Sequence, residues 1–279
     1  MQYSKFEEFM NFTFVHRKKV VFILSFLILS FFLISFKESY SQRVENQEFN
    51  EIQNFLLEIR EKDEEIYNPL KTRIINKTVK GIDVSSWQGE IDWEKVKAAG
   101  VEFVMIRCGF RNLGTPEIVE DKTFKYNISE ANRLDIPVGI YFYSTAMDSK
   151  EVYEEATFVL NLIKDYKITY PVVYDFETFG IKRTKDVSDK RINDNAVKFL
   201  DYFRAHGYEG MLYTNLTTLE NRWDLEKFEG YKLWYAQYID SATYEGHYDM
   251  WQYSDRGRVD GIVGNVDLNE SYFAYEIIE

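Results

Sequence analysis

Two acidic side chains, Asp175 and Glu177, stand two positions apart after the apolar run 170–174. In a β-strand these side chains point to the same face, because side chains alternate along a strand. A chain with 46 acidic residues contains such pairs by chance, and the preceding apolar run distinguishes this one. Carboxyl groups that share a pocket cannot both ionise freely, since repulsion and burial raise one pKa. The spacing therefore predicts a protonated acid beside an anion, the arrangement that glycosidic bond cleavage uses.

Two further carboxylates, Asp83 and Asp267, lie inside the short apolar segments 81–85 and 264–269. A charge within an apolar strand costs free energy unless it is paired or functional. We expect both to join the first pair in one acidic cluster. A structural role, such as accepting hydrogen bonds from loop amides, is the alternative for each.

Aromatic residues end the same predicted strands, and flat rings with a polar edge suit the faces of sugars. We expect Tyr143, Tyr213 and Trp234 to contact a ligand. Gln252 and Asn215 are the candidates to bind its hydroxyl or acetamido groups. Core packing is the alternative reading for each ring.

These side chains can act together only in a fold that brings the ends of several strands close to one another. Strand-like and helix-like segments alternate over residues 80–279, and this alternation predicts such an α/β fold. Strands are predicted at residues 81–85, 103–108, 137–144, 172–177, 210–215, 233–238, 249–253 and 265–268. Helices are predicted at residues 92–99, 122–134, 148–166 and 188–206.

The connections shorten after residue 215, so regular strand–helix units are predicted for the first five strands alone. The predicted fold class is α/β, an irregular TIM-like (β/α)5β3 barrel, smaller than the ~250 residues of a regular barrel. Catalytic groups of such barrels sit at the C-terminal ends of the strands, where these carboxylates fall.

Composition excludes several kinds of site. The formal net charge of -12 argues against nucleic acid as a partner, because phosphate binding needs clustered Lys and Arg. Cys108 is the single cysteine, so no internal disulfide can form. With three His and no Cys/His cluster of ligand spacing, we expect no metal site and no cofactor.

The N-terminal region differs from the rest of the chain. Residues 20–36 are apolar and uncharged and follow the basic cluster 17–19, which predicts a transmembrane signal-anchor behind a short cytoplasmic tail, residues 1–19. A cleaved signal peptide is the alternative, and the barrel is exported in both cases. Residues 37–79 are charged, with apolar residues at helical spacing, and are predicted to form a helical stalk or linker.

Ten segments in order resemble the family 25 glycoside hydrolases, the lysozymes of the Chalaropsis type. They are GIDVS (81–85), WQG (87–89), IDW (91–93), FVMIR (103–107), GIYFY (139–143), PVVYDFE (171–177), LYTN (212–215), LWYAQY (233–238), WQYS (251–254) and NVDLN (265–269). The resemblance implies an irregular barrel of five helices and eight strands. It also implies cleavage between N-acetylmuramic acid and N-acetylglucosamine, with Glu177 as general acid, Asp175 as its partner, and Asp83 and Asp267 completing the cluster.

The expected partners are therefore peptidoglycan glycan strands and the membrane, with other cell-wall machinery as a further candidate. The spacing of Asp175 and Glu177 leaves retention, inversion and substrate assistance by the acetamido group open. Substrate assistance, with Asp175 steadying the acetamido group, is our hypothesis. A glycosidase for another N-acetylated glycan such as chitin, and a non-catalytic glycan-binding barrel, are the alternative functions.

Overall fold

The computed structural model describes residues 72–180 and 182–277. The predicted signal-anchor at residues 20–36 and nearly all of the predicted stalk lie outside these residues. Within the described ranges, no helix combines the length and apolar character that a membrane crossing needs. The last residues of the predicted stalk are described, and Thr72–Ile75 form a first strand, β1.

Eight strands form a closed barrel, as predicted. They are β2 (Val79–Val84), β3 (Phe103–Arg111), β5 (Val138–Tyr143), β6 (Val172–Asp175), β7 (Gly210–Asn215), β8 (Lys232–Ala236), β9 (Met250–Gly257) and β10 (Val266–Ser271). Three strands of the described residues lie outside the barrel: β4 (Ile118–Glu120) pairs with the extended end of β3, and β1 pairs with β11 (Ala274–Ile277).

The order around the barrel is β2-β10-β9-β8-β7-β6-β5-β3, and pairing of β2 with β3 closes it. Neighbouring strands are parallel except at β10, which is antiparallel to both β9 and β2. The reversal has a simple cause, because only the short loop 258–265 connects β9 to β10 and a parallel crossover needs more chain.

Five α-helices occur in the described residues: α1 (Trp93–Ala98), α2 (Phe124–Arg133), α3 (Ser149–Ile163), α4 (Asp189–Ala205) and α5 (Leu216–Asn221). Side chains cap the starts that the sequence predicts. Asp92, Asp148 and Ser188 accept hydrogen bonds from the backbone N–H three residues on. The helices follow β2 to β7, and no helix of the described residues lies between β8 and β10.

Two apolar layers hold the barrel. The outer layer lies between strands and helices and includes Phe142, Tyr174 and Phe199. The inner layer fills the N-terminal end of the barrel with residues such as Met105 and Met211. Apolar side chains thus occupy the bottom of the barrel, and the C-terminal mouth is left for polar groups.

Candidate active site

A pocket of about 740 Å³ opens at the C-terminal mouth of the barrel. The structure places all four predicted carboxylates on its wall, from strands that are far apart in sequence. Its polar and aromatic lining consists of Asp83, Ser86, Trp87, Arg107, Phe110, Arg111, Asn112, Lys122, Tyr141, Tyr143, Asp175, Glu177, Tyr213, Trp234, Tyr238, Gln252 and Asp267.

Asp175 and Glu177 meet in this pocket, although the strand that carries them is shorter than predicted. β6 ends at Asp175, so strict strand alternation does not extend to Glu177. The buried ring of Phe176 faces outwards and stacks on Tyr174, with ring centroids 6.3 Å apart. This anchor turns residue 176 away from the barrel and leaves Glu177 facing the pocket.

The two carboxyl groups differ in burial. Asp175 is 5% exposed, and its Oδ1 has no hydrogen-bond partner among the described residues. Burial, and then the charge of Glu177, raise the pKa of Asp175 well above its ordinary value, while Arg107 opposes the shift. Glu177 is more exposed, and loss of water within the pocket, followed by the charge of Asp83, also raises its pKa. The pair therefore tends to keep a proton.

Asp83 and Asp267 form a second pair. They are direct partners in the antiparallel pairing of β2 and β10. Asp83 Oδ2 accepts hydrogen bonds from Gln252 Nε2 and Asn269 Nδ2, each at 2.8 Å. Burial raises the pKa of Asp83 against these bonds. Burial and the charge of Asp83 raise the pKa of Asp267 to about 8.

Gln252 lies at the centre of the network that supports Asp83. The amide is 3% exposed, and its Oε1 accepts hydrogen bonds from the hydroxyls of Tyr213 and Tyr238, each at 2.9 Å. Both ends of the amide are thus engaged inside the protein. Gln252 lines the pocket and orients Asp83 and the two tyrosines, and its contact with a ligand stays a prediction.

The predicted aromatic contacts lie at different depths. Tyr143 is half-buried and is paired in register with Asp175. Trp234 is 2% exposed, and its Nε1 donates to Asn269 Oδ1 at 2.9 Å, so it forms part of the floor. Tyr213 packs edge-on against Trp234, with centroids 4.8 Å apart.

Asn215 is not among the residues that line the pocket, and its role in ligand binding stays a prediction. Its side-chain Oδ1 accepts a hydrogen bond from Thr218 N at 3.1 Å and caps α5. The residue is both the last of β7 and the residue before the helix. The free N–H groups of the helix start therefore engage the side chain.

Other lining residues were not chosen from the sequence. Arg107 donates from Nε to Asp121 Oδ2 at 2.9 Å and from Nη2 to Ser86 Oγ at 3.1 Å. An arginine within the apolar strand 103–108 was the available signal. Trp87 is 84% exposed at the pocket mouth, where a ring face is free for a ligand.

No group of three or more His, Cys, Asp or Glu in the described ranges is arranged to hold a metal ion. Paired carboxyl groups with raised pKa values can donate and accept protons, and aromatic faces can hold a sugar ring.

Comparison with known proteins finds one matching family and relatives that are named as lysozymes. The model of the family described as glycosyl hydrolases family 25 matches residues 82–262. The "Autolytic lysozyme" of Clostridium acetobutylicum is 31% identical over 193 residues, which are 69% of this chain and 55% of that protein. "Lysozyme M1" of Streptomyces globisporus is 29% identical and is matched over 69% of this chain and 67% of its own length.

A solved structure has the same fold. The modular autolysin LytC of Streptococcus pneumoniae, in complex with a synthetic peptidoglycan ligand, is 28% identical, with a TM-score of 0.61. The similarity covers 71% of this chain and 47% of that one. The match therefore spans about half the length of LytC and of the clostridial relative.

Proposed function

This chain belongs to glycosyl hydrolase family 25, and on that premise we propose that it is a lysozyme that hydrolyses peptidoglycan. The bond cut is the β-1,4 linkage between N-acetylmuramic acid and N-acetylglucosamine. The observation that carries the proposal is the pair Asp175 and Glu177, whose pKa values are both raised within one pocket. Relatives named as lysozymes and an autolysin solved with a peptidoglycan ligand support the choice of substrate.

Glu177 is the proposed general acid. It donates its proton to the glycosidic oxygen as the bond from that oxygen to C1 breaks. The carbonyl oxygen of the substrate's 2-acetamido group forms the new bond to C1, and water later opens this intermediate after Glu177 has taken its proton. Glu177 lies nearer the pocket mouth than Asp175, which suits contact with a leaving group.

Asp175 is the proposed partner of the acetamido group. In the empty pocket its deeper burial favours the protonated form. An acetamido N–H that donates to the unpartnered Oδ1 favours the anion instead, because a hydrogen bond to a charged carboxylate lowers its pKa. Substrate binding would then shift the shared proton to Glu177, where the reaction needs it.

Asp83 and Asp267 have a proposed electrostatic role. Two amide groups hold Asp83 in place, and its negative charge faces the pocket in which positive charge develops at C1. Asp267, with a pKa of about 8, keeps a proton near neutral pH and avoids a further negative charge. In this proposal Asp83 supplies a fixed negative charge, and the protonated Asp267 beside it adds no repulsion.

The proposed location is the outer face of the cell membrane. The basic cluster 17–19 before the apolar run 20–36 supports a single-pass anchor with the barrel outside, where the substrate lies. Determination of the N-terminal sequence of the mature protein tests this. An intact N-terminus supports the anchor, and a new N-terminus near residue 42 contradicts it.

The test of the function compares Glu177→Gln with Glu229→Gln, an exposed glutamate before β8 at the other end of the barrel. Both variants and the original chain are assayed on purified peptidoglycan and on chitin, with circular dichroism to check the fold. We expect lysis of peptidoglycan by the original chain and by Glu229→Gln, and its loss in Glu177→Gln. Cleavage of chitin alone, or binding without cleavage, contradicts the proposal.

A further inference from the structure

A second cavity of about 820 Å³ lies outside the barrel, against β2, β9 and β10. Its wall includes Lys80, Trp251 and Glu270. The next residues along these strands, Gln252 and Asn269, bond to Asp83 inside the barrel, so the cavity is on the opposite face of the sheet. No helix of the described residues connects β8 to β9 or β9 to β10, and this face stays accessible.

The second cavity adjoins the candidate active site. Tyr238 lines both cavities and is 48% exposed. Its hydroxyl donates to Gln252, and Gln252 donates to Asp83. One side chain thus separates the two spaces and is itself bonded to the catalytic network. A branched ligand with its scissile bond at Glu177 can place a branch beyond Tyr238.

The charges of the cavity indicate what such a branch carries. Lys80 Nζ lies 3.7 Å from Glu270 Oε1, and Arg256 Nε lies 3.5 Å from Asp255 Oδ1. These separations are long for ion pairs, and both cationic side chains are mostly exposed. Exposed pairs of this kind are weak and can exchange partners with a ligand.

An uncharged sugar forms no ion pairs with cationic and anionic side chains that lie close together. A short peptide with carboxylates and an amino group uses both. Ser254 and the partly buried ring of Tyr253 add a hydroxyl and an apolar surface for its backbone and side chains. We propose that this cavity binds the peptide stem that branches from the muramic acid of the glycan strand. The inference rests on the proposed function, because only peptidoglycan carries such a branch.

The kinetic test uses the double variant Lys80→Gln with Arg256→Gln in the full chain. Its matched control is Arg133→Gln with Lys167→Gln, two exposed cations that also pair with carboxylates, near the end of α2. Each protein is assayed on soluble glycan strands with their peptide stems and on the same strands after an amidase has removed the stems.

We expect the cavity variant to raise KM for stem-bearing strands about five-fold, since each exposed charge contributes little. We expect kcat, and KM for stem-free strands, to stay unchanged, and the control variant to behave as the original chain does. An equal rise of KM on both substrates would mean that the cavity holds sugar. No change on either would also overturn the proposal.

A binding measurement separates this proposal from the proposed function. A synthetic stem tetrapeptide is titrated into Glu177→Gln, with and without the two cavity substitutions, and followed by NMR chemical shifts. We expect millimolar binding that shifts the indole N–H of Trp251, and its loss when the cavity cations are removed. If the original chain cleaves no peptidoglycan, the proposed function fails, while this titration still decides whether the cavity binds the peptide.

Discussion

Two clusters of carboxyl groups lie near the same strands of the barrel, and they differ in whether a cation is bonded to the buried acid. The pocket carboxylates are Asp83, Asp175, Glu177 and Asp267, inside the barrel mouth. The Arg111 cluster lies between the barrel and α3 and contains Arg111, Ser144, Glu151, Glu155 and Tyr174.

In the Arg111 cluster a cation and hydroxyls surround the buried acid. Arg111 Nε donates to Glu155 Oε1 at 2.6 Å, and Ser144 Oγ donates to Glu155 Oε2 at the same distance. The remaining Arg111 nitrogens donate to carbonyl oxygens of Pro116 and Glu151. Burial still raises the pKa of Glu155 to about 7, against the lowering effects of Ser144 and Arg111.

The pocket carboxylates have no bonded cation among the described residues: two amide groups bond to Asp83, and Asp175 Oδ1 has no hydrogen-bond partner. Arg107 acts on Asp175 only at a distance, because its guanidinium is bonded to Asp121. The difference shows that the buried acid packed against α3 has a bonded cation, whereas the acids at the barrel mouth have none among the described residues. Groups left without compensation hold protons at unusual pKa values, which is the property that acid–base catalysis requires.

The largest effects are expected from removing one charged side chain from each cluster, Asp175 from the pocket carboxylates and Arg111 from the Arg111 cluster. Asp175→Asn should lower the rate of peptidoglycan cleavage about 10²- to 10³-fold, as loss of a preorganised electrostatic contact does. It should also stabilise the fold at pH 8 by about 1–2 kcal/mol, because folding forces Asp175 either to take up a proton or to ionise without a bonded cation, and Asn does neither. Lysis assays and urea unfolding measure the two effects. A loss of stability would show that Asp175 supports the fold.

Arg111→Met should act in the opposite direction. It leaves Glu155 buried without its cation, and such uncompensated charges cost about 3–5 kcal/mol of unfolding free energy. Arg133→Gln, which removes an exposed arginine, is the control and should change stability by less than about 1 kcal/mol. Equal stability of the two variants in urea unfolding would remove the contrast between the clusters.

Asp267→Asn tests, through the pH dependence of the unfolding free energy, whether a pocket carboxylate lacks a partner that stabilises its charge. The pKa of Asp267 rises from 3.8 to about 8 on folding, so the folded chain binds more protons between these values. Its contribution to stability is therefore complete below pH 3.8 and is lost as the pH rises to 8. Relative to the original chain, Asp267→Asn should gain stability steadily between pH 4 and pH 8, by at most about 4–5 kcal/mol and by less where solvent screens the group. Asp186→Asn, on the surface, should show no such trend in unfolding experiments.

The smallest effect is expected at Asn215, which belongs to neither cluster. Asn215→Ala should cost about 1 kcal/mol by removing the cap of α5, and Asn215→Ser should restore most of it. Neither change should alter the KM for peptidoglycan. A rise in KM with unchanged thermal stability would return Asn215 to the binding site.

Local pattern predicted much of this molecule. The eight strands and four of the helices follow from apolar runs and spacing, and Asp or Ser side chains cap three of these helices. The reversal of β10 and the pairing of β1 with β11 depend on contacts between distant segments, which periodicity does not contain.

In the candidate site, too, local pattern predicted some features, and contacts between distant segments determine the others. Strand parity brought Asp175 and Glu177 to one face, although the outward anchor at Phe176, rather than a continuous strand, is what orients Glu177. Gln252 lines the pocket as expected of a ligand-binding residue, and the sequence did not predict that Tyr213 and Tyr238 would bond to its amide oxygen. These partners come from other strands and loops, and side-chain hydrogen bonds of this kind cannot be predicted from one segment.

The most direct test of the division between Asp175 and Glu177 changes the leaving group. An aryl glycoside of the same sugar departs as a stable phenolate and needs no proton, whereas the natural linkage does. On the natural linkage Glu177→Gln should be about 10²- to 10⁴-fold slower than the original chain, and on the aryl glycoside within about ten-fold of it. Asp175→Asn should remain slow on both substrates. Equal impairment of Glu177→Gln on both, or recovery of Asp175→Asn on the aryl glycoside, would contradict the assignment of Glu177 as the acid.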